Sequence, residues 1–358
     1  MPAVQANRST IPCLKTAAAY PADERVLIKR RGGLIRICIQ PRTSVCVLDE
    51  RLVQSLTQNL LAHRDDPNAT SIELDFAPPG GLVFAGADLG ELARASNWGV
   101  RGACIFLGDT YRLIDLIRRY PKPVSCRMDG SFFGSAVGVA AAAEVRSATS
   151  RTSIQFPECG IGLSPDAAAT WYLPRLRGFT GIWLALSGAA LSGRDLLAAG
   201  FCQLMEADSP LPKSATGHLE DAPYHAIDHV LAVHGDEIER SFCYQHVNDI
   251  LAALGEGSSW ARSQRQCILA RSPVASSVTL RQLGLGSIID DYRVALRLEY
   301  RILTRLVCAP DFREGVKNHA HQRQRAPRWS PSKLSRVTPD TLAPFFAPLR
   351  DGELQFVE

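Results

Sequence analysis

Two acidic side chains stand eight residues apart in a segment that is otherwise mainly apolar. Glu158 and Asp166 fall within residues 156–166, where most of their neighbours are small or hydrophobic. An acid in such surroundings is costly unless it is paired or has a chemical task. One acid of such a pair can stay protonated near neutral pH while the other stays charged. The segment therefore predicts acid–base or nucleophilic chemistry, with structural acids that cap local backbone N–H groups as the alternative.

Two glycine-containing segments offer backbone donors that such chemistry could use. Residues 84–89 predict a turn after a short apolar run, and residues 129–138 predict a turn that leads into a helix. Unpaired N–H groups in turns and at helix starts bind anions. Together the segments could supply two donors to an oxyanion, which stabilises a transition state by a few kcal/mol. Taken singly, each segment also fits an ordinary glycine turn.

Other catalytic and metal-dependent classes find no support in the sequence. The chain has no Gly-x-Ser-x-Gly motif and no phosphate-binding loop, and its histidines stand mostly after residue 217, away from the glycine-containing segments. None of the ten cysteines forms a Cys-x-x-Cys pair, and no His/Cys cluster has zinc spacing. We therefore predict no metal site, and we expect the cysteines to be buried free thiols in a reducing compartment.

Composition limits the broad class of the protein. A chain of 358 residues predicts two domains, or one large domain with an extension. The hydrophobic fraction of 46% is sufficient for a large core, and 21% charged residues is too low for a disordered chain. A net charge of +4 is too weak to indicate nucleic-acid binding by itself. No apolar run approaches the ~18 residues of a membrane span, so no membrane association is expected.

The elements before residue 210 alternate between strand and helix patterns. Residues 26–28 and 34–39 flank Gly32 and Gly33 as a β-hairpin would. Asp49 is a plausible N-cap for a helix through residue 63. The remaining patterns predict strands at 71–76 and 124–128 and helices at 110–120 and 134–143. Alternating strands and helices predict an α/β fold.

The rest of the chain predicts a mainly helical region. Residues 210–223 are rich in Pro, Ser, Gly and His and lack periodicity, which indicates a linker. Helical patterns without strands follow at 226–233, 239–254 and 288–306. The basic run at 313–328 fits a solvated face, a phosphate-bearing ligand or an RNA contact. We divide the chain into residues 1–24, 25–209 and 210–358, the first being a flexible terminus or a presequence that is basic and poor in acids.

The motifs taken together resemble the crotonase (enoyl-CoA hydratase/isomerase) superfamily, and within it the 3-hydroxyisobutyryl-CoA hydrolase branch. The resemblance runs from about residue 26 to the C-terminus. Its motifs follow in order at 157–166, 171–176, 186–188, 192–195, 272–273, 279–283, 299–301, 311–316 and 327–329. The resemblance implies an α/β fold with a core spiral of stacked ββα units and a mainly helical C-terminal region, often assembled into trimers or hexamers.

The resemblance also implies roles for individual residues. Glu158 and Asp166 take the places of the catalytic acids, and the backbone N–H groups of Ala87 and Ser135 match the oxyanion hole for a thioester carbonyl. Glu158 would act as nucleophile or base, and Asp166 would orient it or handle the proton. The remaining matched positions would contact the substrate: Ala85, Gly86, Asp88, Thr110, Gly134 and Gly138. No cofactor is implied, because CoA is part of the substrate.

Three functions follow as hypotheses. The first is hydrolysis of a short-chain hydroxyacyl-CoA thioester, 3-hydroxyisobutyryl-CoA in mitochondrial valine breakdown, with the cytoplasm as the alternative location. The second is a component of the mitochondrial ribosomal small subunit, since some lineages use this branch there. The third is another crotonase reaction, although Gly138 stands where hydratases have their first catalytic glutamate. Ser135 and Ala136 replace family glycines, which implies altered acyl preference or a fold retained without catalysis.

Overall fold

Eleven strands in the described part of the chain form two sheets. This computed structural model describes residues 23–41, 43, 45–207, 229–320 and 325–356. The strands are β1 (Val26–Arg31), β2 (Leu34–Ile39), β3 (Val45–Leu48), β4 (Ser71–Phe76), β5 (Leu82–Ala87), β6 (Val124–Met128), β7 (Gly130–Phe133), β8 (Val145–Ala148), β9 (Ser153–Gln155), β10 (Ala190–Ser192) and β11 (Leu204–Met205). Their orders are β1-β2-β4-β6-β8-β11 and β10-β9-β7-β5-β3.

The chain visits the two sheets alternately. Successive strand pairs β4–β5, β6–β7 and β8–β9 each place their first strand in the six-stranded sheet and their second in the five-stranded sheet. Within each sheet these strands pair in parallel, and the antiparallel pairs are β1–β2 and β9–β10. This repeated path with helices between the pairs is the ββα spiral that the resemblance implied.

Fourteen helices are present in the described residues. They are α1 (Glu50–Arg64), α2 (Leu89–Ser96), α3 (Gly99–Arg118), α4 (Ser135–Ala141), α5 (Ala169–Tyr172), α6 (Thr180–Ser187), α7 (Arg194–Ala198), α8 (Val230–Phe242), α9 (Val247–Gly255), α10 (Ser259–Leu269), α11 (Pro273–Gly286), α12 (Tyr292–Leu306), α13 (Pro310–Ala320) and α14 (Pro339–Phe346). Beyond residue 228 the described elements are helical.

Aromatic rings fill the space between the sheets. The rings of Phe76 and Phe84 meet edge to face with centroids 5.5 Å apart, and Phe132 lies 6.0 Å from Phe84. These three residues come from β4, β5 and β7, and none has measurable exposure. In β4, buried side chains alternate with half-buried ones, as expected for a strand with one face on this core.

Several expectations from the sequence need correction. Residues 84–89 are not a turn, because β5 continues to Ala87 before α2 begins, and residues 129–138 contain the short strand β7 before α4. The helical pattern at 239–254 is broken into α8 and α9. All nine described cysteines are free thiols, but Cys243 and Cys267 are exposed rather than buried.

Two predicted segments lie outside the described residues, and the division into domains stays untested. Residues 1–22 and the expected linker at 210–223 lie outside the described residues, so the presequence and the three-part domain division stay predictions. Among the residues that are described, no helix is long and apolar enough to cross a bilayer. In the same ranges, no group of three or more His, Cys, Asp or Glu side chains could hold a metal ion.

The C-terminal helices are joined to the core by buried polar contacts. Asp115 of α3 accepts hydrogen bonds from Arg293 of α12 at 2.7 and 3.0 Å. Nearby, the hydroxyl of Tyr300 on α12 donates to the carbonyl of Cys104 on α3 at 2.7 Å. The face of α12 that contacts α3 is therefore fixed by directional bonds as well as by apolar packing.

The start of α1 provides a test of the local sequence signal. Asp49 caps the helix by accepting from the N–H of Leu52 at 2.9 Å, and it also pairs with Arg25 at 2.7 Å. Asp49→Ala should lower the free energy of unfolding by about 1–2 kcal/mol, measured by chemical denaturation. Asp49→Asn, which keeps a capping oxygen, should lower it by less; equal losses would show that the ion pair, not the cap, stabilises this end.

Candidate active site

The two predicted oxyanion segments lie side by side because Gly86 has no side chain. Gly86 adopts φ +77°, and a Cβ there would lie 2.6 Å from the carbonyl oxygen of Phe133 and 3.3 Å from the nitrogen of Ser135. Only glycine permits this approach of the end of β5 to the start of α4. Ser135 is the first residue of α4, where the N–H has no acceptor within the helix. The structure thus places Gly86, the residue before Ala87, next to Ser135.

Glu158 points toward this junction from a 3₁₀ turn, Glu158–Ile161. Its side chain is 6% exposed, and neither carboxylate oxygen has a hydrogen-bond partner among the described residues. One of these oxygens, Oε1, lies 2.5 Å from the place that a Cβ on Gly134 would occupy. Burial, followed by the charge of Asp166, raises the pKa of Glu158 well above its ordinary value. The described part of the structure thus shows Glu158 as a buried acid without a bonding partner, and its catalytic role stays a prediction.

Asp166 is tied to the same junction by Ser135. The Ser135 hydroxyl donates to the two carboxylate oxygens of Asp166 at 2.8 and 2.9 Å, and both residues are buried. Burial raises the pKa of Asp166 to about 6, while the hydrogen bond from Ser135 works in the opposite direction. The hydroxyl that replaces a family glycine is therefore engaged by the second acid.

Gly138 explains why a second glutamate is absent from this site. Its α-carbon lies so close to Ala167 that a Cβ would overlap the carbonyl oxygen and the methyl group of that residue. A glutamate at 138, the place of the first hydratase glutamate in the resemblance, has no room unless the backbone of residues 166–168 moves. The acids at the junction are therefore Glu158 and Asp166.

A third buried acid, Glu299, supports the turn that follows Asp166. Ala167 and Ala168 both have positive φ angles, +57° and +71°, which cost non-glycine residues about 1–3 kcal/mol each. Glu299 of α12 accepts from the N–H groups of Ala168 and Thr170, each at 2.7 Å. Its exposure is 0%, and burial raises its pKa to about 7 against the lowering effect of the Thr170 and Ala168 hydrogen bonds.

The contact of Glu299 with the turn after Asp166 was not predicted from the sequence. There the residue was included only within a family motif. A signal was present: Glu299 follows Leu296 by three residues and precedes Leu303 by four, so it lies on the apolar face of α12. A carboxylate on the buried stripe of a helix needs donors from outside that helix. The sequence could identify the need but not the distant turn that supplies the donors.

The other residues expected to contact substrate are distributed around the junction. Asp88 caps α2 by accepting from the N–H of Glu91 at 2.8 Å. Ala85 is exposed on β5, and Gly134 adopts a positive φ between β7 and α4. Thr110 is half-buried on α3, next to Tyr111. Their contacts with a substrate stay predictions.

Comparison with known proteins places this geometry in a family. The family profile described as enoyl-CoA hydratase/isomerase matches residues 35–346. The chain belongs to the enoyl-CoA hydratase/isomerase family. This membership confirms the resemblance to the crotonase superfamily. The similarity to its hydrolase branch is confirmed as well. The chain is 31% identical over 354 residues to the mitochondrial 3-hydroxyisobutyryl-CoA hydrolase of Rattus norvegicus, and the match covers 92% of this chain and 91% of that protein.

Solved structures of the family share the fold. A carnitinyl-CoA dehydratase from Mycobacterium thermoresistibile superposes with a TM-score of 0.80 at 29% identity, covering 93% of this chain and 99% of that chain. An enoyl-CoA hydratase from Rhodobacter sphaeroides 2.4.1 superposes with a TM-score of 0.79 at 30% identity, covering 93% and 100%. Since similar proteins carry names of different reactions, the site itself must distinguish among them.

The burial of Glu158 predicts a pH-dependent effect of its removal. The folded-state pKa of Glu158 is raised, so the wild type loses stability as the pH rises through that pKa. Glu158→Gln has no such loss. We expect the variant to unfold at a higher temperature than the wild type at pH 8 and at nearly the same temperature at pH 5. A variant equally destabilised at both pH values would contradict an unpartnered acid.

Close packing at Gly138 predicts intolerance of any side chain. Gly138→Ala should lower the free energy of unfolding by about 2 kcal/mol or more, because the backbone of Ala167 must shift. Gly284→Ala is a matched helical control, since a Cβ there meets nothing within 4 Å, and should be neutral or stabilising by up to about 1 kcal/mol. Equal effects of the two substitutions in denaturant unfolding would show that position 138 has room.

Proposed function

We propose that this chain hydrolyses a short-chain hydroxyacyl-CoA thioester, with 3-hydroxyisobutyryl-CoA as the preferred substrate. The observation that carries the proposal is Glu158, a buried carboxylate without a hydrogen-bond partner in the described residues, beside the junction of Ala87 and Ser135. The curated relatives named 3-hydroxyisobutyryl-CoA hydrolase support this choice of substrate.

The reaction begins with the thioester carbonyl between the N–H groups of Ala87 and Ser135. As the carbonyl carbon is attacked, these donors stabilise the negative charge that develops on its oxygen. Glu158 serves as the attacking carboxylate or as the base that removes a proton from water. The C–S bond then breaks, and CoA leaves as a thiol after gaining a proton. When Glu158 is the nucleophile, the acyl group stays on it as an anhydride, which water then hydrolyses to the free acid and the Glu158 carboxylate. Asp166, whose pKa is raised to about 6, handles that proton.

Hydration of an enoyl thioester is the less supported alternative. In the family resemblance, hydratases use two glutamates, and the place of the first is Gly138. Because a Cβ at that position overlaps Ala167, this chain has no room for the second acid. The two acids of this site are instead Glu158 and Asp166, and Asp166 accepts a hydrogen bond from the Ser135 hydroxyl.

The location of the protein is a further part of the proposal, and its partners are considered with it. Curated relatives are named mitochondrial, and we propose the same compartment for this chain. The ribosomal role and a homo-oligomer stay predictions. Within the basic run, Arg325 pairs with Glu314 at 2.6 Å, and the N–H of Arg328 donates to the same carboxylate. This local neutralisation reduces the charge available for RNA.

The proposal is tested by thiol release from a panel of acyl-CoA substrates. Wild-type protein should release CoA from 3-hydroxyisobutyryl-CoA faster than from crotonyl-CoA or acetyl-CoA. Glu158→Gln should lower kcat by ~10²-fold or more, because the amide is neither a nucleophile nor a base. The Gln variant retains the volume of the side chain, so its circular dichroism should match that of the wild type.

Controls distinguish hydrolysis from the alternatives. Loss of the enoyl absorbance of crotonyl-CoA, unaccompanied by thiol release, would indicate hydration and contradict the proposal. Absence of thiol release from every substrate, together with co-sedimentation with small ribosomal subunits, would favour the scaffold role. A single turnover in H₂¹⁸O, followed by mass spectrometry of the peptide with Glu158, identifies Glu158 as the nucleophile if the peptide acquires the label, because only hydrolysis of an anhydride at the Glu158 carbonyl introduces it.

A further inference from the structure

The turn after Asp166 is held by side chains that come from three helices distant in the sequence. Glu299 lies on α12, Gln282 on α11 and Tyr111 on α3. We call residues 165–170 the Asp166 turn. Glu299 contacts it across 131 residues of sequence, and Gln282 reaches it across 117.

The carboxylate of Glu299 is surrounded by donors. It accepts from the backbone N–H groups of Ala168 and Thr170, from the Thr170 hydroxyl, all at 2.7 Å, and from the Tyr111 hydroxyl at 2.9 Å. The N–H groups of Ala168 and Thr170 converge in this turn on one concavity that suits an anion. The Asp166 turn therefore has the shape of an anion site, and Glu299 is the anion that fills it.

Gln282 forms a second set of hydrogen bonds with the same turn. The amide of Gln282 donates to the carbonyl of Pro165 at 2.9 Å and to the hydroxyl of Thr170 at 2.8 Å. Asp166 lies between these fixed points. The exposure of Glu299, Gln282, Thr170 and Tyr111 is 0%, so bulk water has no direct access to replace a lost bond.

We propose that Glu299 is a positioning residue for Asp166, so that the helical C-terminal region completes the active site. The proposal deepens, and rests on, the thioesterase function proposed above. Glu299 holds this turn by accepting from the N–H groups of Ala168 and Thr170, and within the turn Ala167 and Ala168 keep positive φ values. With that acceptor lost, the turn relaxes toward ordinary backbone angles and moves the Asp166 carboxyl away from Ser135.

The decisive variant is Glu299→Gln, which keeps the size of the side chain but presents an NH₂ group to surrounding donors. We expect kcat to fall by at least 10-fold, while KM stays within about 3-fold, because Ala87 and the exposed Ala85 belong to other elements. The matched control is Asp115→Asn. It weakens another buried polar contact between the same helices, α3 and α12, without touching the Asp166 turn.

Thr170 offers a graded version of the test. Thr170→Ser keeps the hydroxyl that donates to Glu299 and should retain most of the wild-type kcat. Thr170→Val removes that donor with little change in volume and should lower kcat by several-fold. A purely structural contribution would lower thermal stability in parallel with kcat in all four variants, Asp115→Asn included, and would overturn the proposal. So would a Glu299→Gln kcat within 3-fold of the wild type.

A measurement without turnover separates this proposal from the thioesterase proposal. Hydrogen–deuterium exchange of a peptide that contains residues 165–170 should be at least 10-fold faster in Glu299→Gln than in the wild type or in Asp115→Asn. If exchange is faster in Glu299→Gln but the wild type releases no thiol from any substrate, the positioning role of Glu299 is supported and the hydrolase function is contradicted. Unchanged exchange in Glu299→Gln would contradict the positioning role of Glu299 even if the wild type is an active thioesterase.

Discussion

A carboxylate in a protein interior is tolerated only when something replaces the water it loses, and this chain buries three around a single turn. Glu299 obtains four close donors, Asp166 obtains one hydroxyl, and Glu158 obtains none in the described residues. This gradient divides the acids by task. The fully bonded acid braces the fold, and the unbonded acid is left with the strongest tendency to bind a proton or to attack an electrophile.

Glycine backbone makes this crowding possible. Gly86 admits the chain near Ser135, Gly134 leaves space for the carboxylate of Glu158, and Gly138 lets α4 approach Ala167. Each of these positions excludes a Cβ for a different reason, and all three lie within a few residues of the junction. Close approach at Gly86 places the predicted oxyanion donors, and a separate close approach at Gly138 removes the space for a hydratase glutamate. The backbone arrangement at this site therefore limits which acids can be present.

Local signals in the sequence were sufficient for some elements and insufficient for others. The hairpin around Gly32 and the cap of Asp49 depend on neighbouring residues, and both were predicted correctly. Strand β7 was missed because its four residues pair only with β5 and β9, which are distant in the chain. Helix α11 was not predicted, because residues on most of its surface are buried and no amphipathic stripe marks it.

The candidate site shows the same division between local and distant information. The acids at 158 and 166 were visible because both stand in one apolar segment, and the resemblance supplied Ala87 and Ser135. No local pattern could reveal that Asp166 depends on Glu299, because the link is a contact between a strained turn and the interior face of a helix far along the chain.

That contact joins assembly of the active site to packing of the C-terminal helices, since the turn finds its acceptor only when α12 has docked on α3. A core folded without those helices would keep the oxyanion donors and Glu158 but would have nothing to hold Asp166 against Ser135. In the proposed mechanism, the C-terminal helices of this chain are accordingly part of the active site rather than a separate covering of it.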